Sequence, residues 1–365
     1  MTSGSVGSAG SGPAVPDDGA GRVVHTGQAI VDVVMQVREV PRPGEDVFAR
    51  DHALEVGGGF NVIAAARREG ADVLYAGGHG TGPFGDQVRA ALAAEGVELL
   101  LERHPGLDSG FCVAIVDDDA ERTFVSTLGA EGHVPLEALD GLEARAGDAV
   151  YVSGYSLLHP DNAAMLARAL PRLSGTAQVV VDASPVIGDI PDDALAAVRR
   201  AATVWTVNER EAGILAGRVV GTDAPSGGRE AAAALAEALG VVVLVRVGAG
   251  GCWVARPGTT PELVPGIEVE AVDTNGAGDA HTGVLCADLA SGVPLLEAVR
   301  RANVAAGIAV TRRGPATSPT ADEIDARDRP AITDPVLRPT SNESHRSHTE
   351  AITLRRRSIP ERPRA

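Results

Sequence analysis

From Asp148 onward, short uninterrupted apolar runs alternate with amphipathic stretches, and few folds accept that order. Residues 149–154, 178–182 and 203–207 read as strands, and 162–170 and 192–202 as helices. Strands apolar on both faces, set between helices, form a parallel sheet covered on both sides. Ligands of such a sheet bind beyond the carboxyl ends of its strands. Two of those ends are polar. Asp182 closes one strand, and Asn208-Glu209-Arg210-Glu211 closes another directly before a helix. In isolation the second is equally a capped helix start with acids in its first turn. Residues 241–247 add a further buried strand, then a glycine turn through Gly248 and Gly251 and a second strand.

The stretch Asp273-Thr274-Asn275-Gly276-Ala277-Gly278-Asp279 carries the most chemistry. Residues 267–272 before it alternate like a strand. Ala280, Val284, Leu285 and Leu289 after it recur near helical spacing until Gly292 and Pro294. The pattern predicts a strand, a tight turn and a helix. Gly276, Ala277 and Gly278 leave their amides uncovered at the helix N-terminus, which favours an anion. A carboxylate beside an anion site repels the anion, so Asp279 needs a role there. Accepting the proton of a hydroxyl that attacks a bound phosphoryl group is such a role. The plainer alternative is a glycine turn with an acidic helix start.

Charge and residue usage remove several function classes. The 365 residues carry a formal charge of −17, the wrong sign for a nucleic-acid partner. All 32 basic residues other than histidine are arginine. Without lysine there is no Walker A loop, no protein-kinase strand lysine and no Schiff-base chemistry. No apolar run is long enough to span a membrane, and the N-terminus lacks a basic start before an apolar segment, so a cytosolic protein is expected. Three scattered cysteines, Cys112, Cys252 and Cys286, suit a reducing compartment and have no metal spacing. The run 80–85 fits GxGxxG by letter. A proline inside it, and no acidic residue at the end of a following strand, argue against a dinucleotide site.

The string from Asp273 to Asp279 resembles the signature of the ribokinase-like (PfkB) carbohydrate kinases. Other stretches support the resemblance over about residues 22–325. Gly57-Gly58-Gly59-Phe60-Asn61 runs into an alanine-rich helix that Gly70 closes, like the family's Gly-Gly and Asn signature. Many ribokinases have a lysine among these glycines, and this chain has none. Phe84-Gly85-Asp86 matches a glycine-rich turn, and Asn208 with Glu211 matches an Asn-x-x-Glu motif. The fold implied is α/β, a ribokinase-like three-layer sandwich with a central, mostly parallel sheet and a small β-sheet lid. The lid would come from residues 33–50 and from a hairpin over 109–128. The three aspartates of that hairpin, 117–119, read as a solvated turn rather than a metal site.

The resemblance also implies roles. ATP is the phosphoryl donor, its γ-phosphate on the amides of Gly276, Ala277 and Gly278, with Asp279 as base. Asp32, Gly57, Gly58 and Asn61 hold a small-molecule sugar through its hydroxyls. Asn208 and Glu211 hold the Mg2+ and phosphate shell. Gly248 and Gly251 lie near the nucleotide, where Arg246 replaces the family's threonine and reaches for phosphate, and Asn303 lies near the adenine. A K+ site is implied around Asp273 and Asn275 and the segment carrying Ala309, Arg312, Gly314 and Ser318, mostly through carbonyls. Lid sheets in the family often pair, so a homodimer is expected. Nucleosides are a second substrate class, with Phe60 and Phe111 as stacking candidates. A non-catalytic sugar or nucleotide sensor is the alternative outside catalysis. Residues 1–21 and 330–365 read as flexible tails. Arg355, Arg356 and Arg357 with His345 and His348 belong to the second and are taken as solvated.

Overall fold

The computed structural model of the chain describes residues 21–119, 121–221, 224–225 and 227–328. The two expected tails fall outside these, except Gly21, whose amide donates to the Ala290 carbonyl. The strands are β1 (Val23–His25), β2 (Ala29–Gln36), β3 (Asp51–Gly58), β4 (Val73–Tyr75), β5 (Glu98–Leu99), β6 (Phe111–Val116), β7 (Arg122–Ser126), β8 (Ala149–Ser153), β9 (Gln178–Asp182), β10 (Val204–Asn208), β11 (Val242–Arg246), β12 (Cys252–Ala255) and β13 (Glu262–Val264). The helices are α1 (Phe60–Glu69), α2 (Pro83–Ala94), α3 (Gly154–Leu158), α4 (Pro160–Leu173), α5 (Asp192–Arg199), α6 (Glu209–Val219), α7 (Gly228–Leu239), α8 (Ala277–Ala290), α9 (Leu295–Ala309) and α10 (Ala321–Asp328).

One sheet runs β13-β12-β11-β10-β9-β8-β1-β4-β5. Its pairs are parallel from β11 to β5, and β12 and β13 close the other edge antiparallel. Alternate residues feed two cores. Val150, Val152, Val179, Val181, Trp205 and Val243 face α4, α5, α6 and α7 through Leu166, Leu195, Leu215 and Leu235. Val23, Ala149, Val180, Val204 and Leu244 face the opposite way, onto Ile63, Val88, Val284, Val299 and Ile324 of α1, α2, α8, α9 and α10. That is the three-layer α/β arrangement read from the 148–207 pattern, because a strand apolar on both sides must be covered on both.

The second sheet, β3-β2-β6-β7, is the lid. Its hairpin β6–β7 follows the expected register, with Cys112 opposite Ser126 and Val116 opposite Arg122. The turn aspartates behave as turn residues: Asp117 accepts the amides of Asp119 and Glu121, and Asp118 pairs with Arg50. The lid reaches beyond the expected segment 33–50, to Ala29 on one side and Gly58 on the other. Residues 37–50 are not strand, and β3, hidden in sequence by the glycines that follow it, pairs with β2 along its whole length.

Two local expectations fail. Residues 267–272 form no strand. Their alternation has another cause: Ile267 packs against Gly307 of α9, and the amides of Val272 and Asp273 donate to the Val310 carbonyl, a helix end rather than a neighbouring strand. Phe84-Gly85-Asp86, matched to a glycine-rich turn, instead lies inside helix α2, which starts at Pro83, since proline at a first helical position loses no bond it would otherwise make.

Helix α8 is buried over Ala280–Ala290, so it sits inside a layer rather than on the surface. It lies close to α1 because Gly283 has no side chain. A Cβ there would meet the Val62 carbonyl oxygen at 2.4 Å and the Ala65 Cβ at 2.5 Å. Gly283→Ala is therefore expected to lower stability by about 1–3 kcal/mol, the usual cost of overpacking. A thermal melt checks this; an unchanged midpoint would show slack between the two helices.

Candidate active site

A cavity of about 650 Å³ opens where the lid overhangs the carboxyl ends of β8, β9 and β10. Its floor holds Asn275, Gly276, Gly278 and Asp279 at the start of α8, and its wall holds Gly58, Gly59 and Asn61 at the start of α1. The packing of α1 on α8 brings these two helix starts together: Asn61 Nδ2 donates to Asp279 Oδ2 at 2.8 Å. Burial pushes the Asp279 carboxyl up to about 6, the negative charge of Asp182 adds to this, and Asn61 and Arg246 oppose it. Asp279 is thus more basic than an ordinary aspartate, which sequence reasoning did not anticipate.

The anion-site amides are available. Among the described residues Gly276 and Gly278 find no backbone acceptor, and Ala277 has only a long contact of 3.4 Å to the Thr274 carbonyl. Gly276 caps the helix with φ 74°, and a Cβ would lie 2.0 Å from the Pro315 carbonyl oxygen. Only glycine fits that turn.

The expected substrate residues gather around Asp279. Asp32 projects from β2 into the cavity, raised to about 6 by burial, by Glu55 and by Asp279. Gly57 stands behind it: a Cβ there would strike Asp32 Oδ2 at 2.1 Å. Gly58 lines the cavity directly, at φ 62°.

Asn208 and Glu211 form a reciprocal capping box. The Asn208 amide donates to Glu211 Oε2 and the Glu211 amide to Asn208 Oδ1, both at 2.8 Å. Asn208 Nδ2 adds a third bond, to Glu211 Oε1, at 2.8 Å. Both residues line the cavity, so capping and exposure to a ligand coexist. Burial raises the Glu211 carboxyl, Asp182 adds to this, and Arg246 opposes it. Arg246 ends β11 beneath Gly278. Its Nη1 is 3.0 Å from Asp182 Oδ2, Thr206 Oγ1 and Thr282 Oγ1, and its Nη2 is 3.6 Å from Glu211 Oε2.

Three expected nucleotide residues do not open on this cavity. Gly248 and Gly251 shape the turn after β11, where a Cβ on Gly251 would meet the Val264 carbonyl oxygen at 2.1 Å. Asn303 is buried and donates to the carbonyls of Val264 and Pro265. The stacking candidates also lie elsewhere. Phe60 is in the core, and Phe111 sits against Phe84, with ring centroids 5.0 Å apart. The aromatic rings that do line the cavity belong to Phe124, Tyr151 and Tyr155.

Sequence reasoning also missed Glu131. It is 2% exposed, lines the cavity, and holds the Gly110 and Gly129 amides on its two oxygens at 2.8 Å. Only the fold brings it to the cavity that Asp32 also lines. Ser184, next to Asp182, has φ 59°, the one positive value on a non-glycine residue among those described. Strain of this kind concentrates at ligand sites.

The donor sets bear on the implied ions. Among the described residues no three His, Cys, Asp or Glu side chains converge on a metal. Glu211 keeps lone pairs beyond its two bonds to Asn208, which fits Mg2+ held through water. The K+ position fits poorly. Asp273 Oδ1 accepts Arg122 Nη2 at 2.6 Å and the Asn275 amide at 2.9 Å, and Oδ2 accepts the Gly314 amide at 3.3 Å. The Ala309 carbonyl accepts Arg312 N and Thr317 Oγ1, and the Ser318 carbonyl accepts Arg68. A cation at Asp273 would face a guanidinium already in contact.

Comparison with known proteins bears on the family and the fold. The uncharacterized sugar kinase YegV of Escherichia coli (strain K12) is 33% identical over 304 residues, 83% of this chain and 92% of that protein. A ribokinase of Thermotoga maritima has the same fold, with a TM-score of 0.70 at 22% identity, covering 84% of this chain and 98% of that one. A fructokinase of Vibrio cholerae, solved with fructose, ADP and calcium ion bound, gives a TM-score of 0.68 at 25% identity, over 85% and 99% of the two chains. Residues 20–322 match the sequence profile of the pfkB family carbohydrate kinases. The chain therefore belongs to the pfkB family and is a sugar kinase, a phosphotransferase acting on a hydroxyl group.

Proposed function

We propose that this kinase moves the γ-phosphoryl group of ATP onto the hydroxymethyl group of a small uncharged sugar, ribose- or fructose-like. The observation that carries this reading is the pairing of Asp279 with Asn61 at 2.8 Å beside the free amides of Gly276 and Gly278, all in one cavity. The amides of Gly276, Ala277 and Gly278 hold the γ-phosphate. Asp32, Gly58, Asn61 and Glu131 hold sugar hydroxyls, since carboxylates accept from two hydroxyls and an amide both donates and accepts. Asp279 takes the proton of the attacking hydroxyl, the hydroxyl oxygen bonds to the γ-phosphorus, and the bond to the leaving ADP oxygen breaks. Glu211 and Asn208 would hold Mg2+ through water, and when bound with ATP it would supply charge neutralisation at the phosphates. No step is derived through K+.

Four carboxylates line the cavity: Asp32, Glu131, Asp182 and Glu211, besides Asp279. Among the described residues its single guanidinium, Arg246, is committed to two of them. An acceptor that already bears a phosphate is therefore disfavoured. A nucleoside is the second reading, supported by Phe124, Leu128 and Tyr155, large apolar side chains exposed on the cavity wall. Pairing of two lids is supported by the outer lid face, where Met35, Leu54 and Val125 are exposed. Among the described residues no helix is long and apolar enough to cross a membrane. The free, buried cysteines support a cytoplasmic setting.

The test is ADP release with pentoses, hexoses, nucleosides and sugar phosphates. Turnover of a free pentose or ketohexose is expected, at a kcat/KM at least roughly tenfold above that of its phosphate ester. Preference for the ester would overturn the uncharged-acceptor reading. Turnover of nucleosides alone would establish the second reading.

A further inference from the structure

Arg122 is the first residue of β7, at the edge of the lid sheet. Strand alternation puts Arg122, Phe124 and Ser126 on one face, and the latter two line the cavity. From that face the Arg122 guanidinium crosses to the body of the protein and bonds Asp273 at 2.6 Å, 151 residues away in the chain. Asp273 in turn holds the Asn275 amide on the same oxygen and the Gly314 amide on the other. One carboxylate therefore joins three pieces: the lid, the turn leading into Gly276–Gly278, and the loop after α9. The side chains are 30% and 15% exposed, so the pair is largely withdrawn from solvent. A charge-assisted bond there is stronger than an ordinary surface ion pair.

We propose that Arg122 is a positioning residue for phosphoryl transfer. Its guanidinium, carried on the lid, fixes Asp273 and through it the Asn275–Gly278 turn, so that no monovalent cation is needed at Asp273. This rests on the kinase reading above. Arg122 touches neither phosphate nor sugar; it sets where the Gly276 and Gly278 amides stand relative to Asp279. The lid face that carries Arg122 also meets the acceptor through Phe124 and Ser126. The acceptor wall and the guanidinium are thus carried on one strand.

The experiment compares wild type with Arg122→Ala, Arg122→Lys, Asp273→Asn and the double variant Arg122→Ala/Asp273→Asn, each assayed in KCl, NaCl and choline chloride and melted thermally. Misplacement of a reacting group by about an ångström costs on the order of a hundredfold. Arg122→Ala is accordingly expected to lose roughly ten- to a hundredfold in kcat, with less than about a threefold rise in acceptor KM. Its melting midpoint should stay near wild type, and Arg122→Lys should recover part of kcat. The double variant should be no worse than the poorer single one. Wild-type rate should be equal in the three salts. A wild-type kcat in Arg122→Ala, additive losses in the double variant, a loss that merely follows the melting midpoint, or a wild type that requires K+ would each overturn the proposal. A wild type that releases no ADP with any acceptor counts against the kinase reading instead. ATP binding then tests Arg122 directly, and an unchanged Kd in Arg122→Ala overturns it.

Discussion

Asp279→Asn is expected to lower kcat by roughly a thousandfold, within the usual range for loss of a general base, while the protein becomes more stable. The two effects share one cause. Burial raises the Asp279 carboxyl from 3.8 to about 6, so the folded chain binds a proton more tightly there than the unfolded chain does. By linkage the carboxylate costs stability as pH rises through the window from about 4 to about 6, and that cost is complete above it. Asparagine keeps an oxygen to accept from Asn61 Nδ2 and has no charge to bury. A rise of a few degrees, roughly, in melting midpoint at neutral pH follows. The wild-type rate should climb as pH passes about 6, when Asp279 loses its proton. Asp32 titrates over the same range, so any limb left in Asp279→Asn reports Asp32. A variant with near wild-type kcat would remove Asp279 from the role of proton acceptor.

Arg246→Ala is expected to have the largest effect on stability. The guanidinium is 14% exposed and lies between the carboxylates of Asp182 and Glu211, which are 11% and 3% exposed. Removing one partner of a buried ion pair leaves charge with no compensation, at a cost of about 3–5 kcal/mol. The urea midpoint should fall accordingly, and activity should fall with it, because the same side chain lies beneath Gly278. A Cβ on Gly278 would stand 3.6 Å from the guanidinium carbon, so the guanidinium is a direct neighbour of the anion site. Arg246→Lys should restore only part of the loss. An ammonium cannot span Asp182, Thr206, Thr282 and Glu211 as a planar fork does. An unchanged urea midpoint in Arg246→Ala would mean that the buried cluster is not held by its cation.

Local pattern alone was enough for the parallel sheet and its two helix layers, because a strand apolar on both faces has one way to be satisfied. It was also enough for the turn at Gly276, where small residues, a helix start and an acid coincide. Other features depended on approach between distant segments. β3 is a strand only because β2 lies beside it, and residues 267–272 are not one because no strand does. Glu131, a lone acid among glycines in sequence, becomes a cavity wall once Gly110 and Gly129 donate to it. Phe111 and Phe124 belong to the same hairpin, yet only Phe124 faces the cavity, a matter of register rather than composition.

The residue types of this chain, arginine in place of every lysine and bare amides ahead of one aspartate, determined which chemistry was available. Tertiary structure decided how charge is distributed among those groups: Arg246 committed to Asp182 and Glu211, Arg122 to Asp273, and Asp279 left without a cation of its own. Charge pairing depends on distances of a few ångströms between segments such as Arg246 and Asp182, 64 residues apart, or Arg122 and Asp273, 151 apart, and a linear string does not contain those distances.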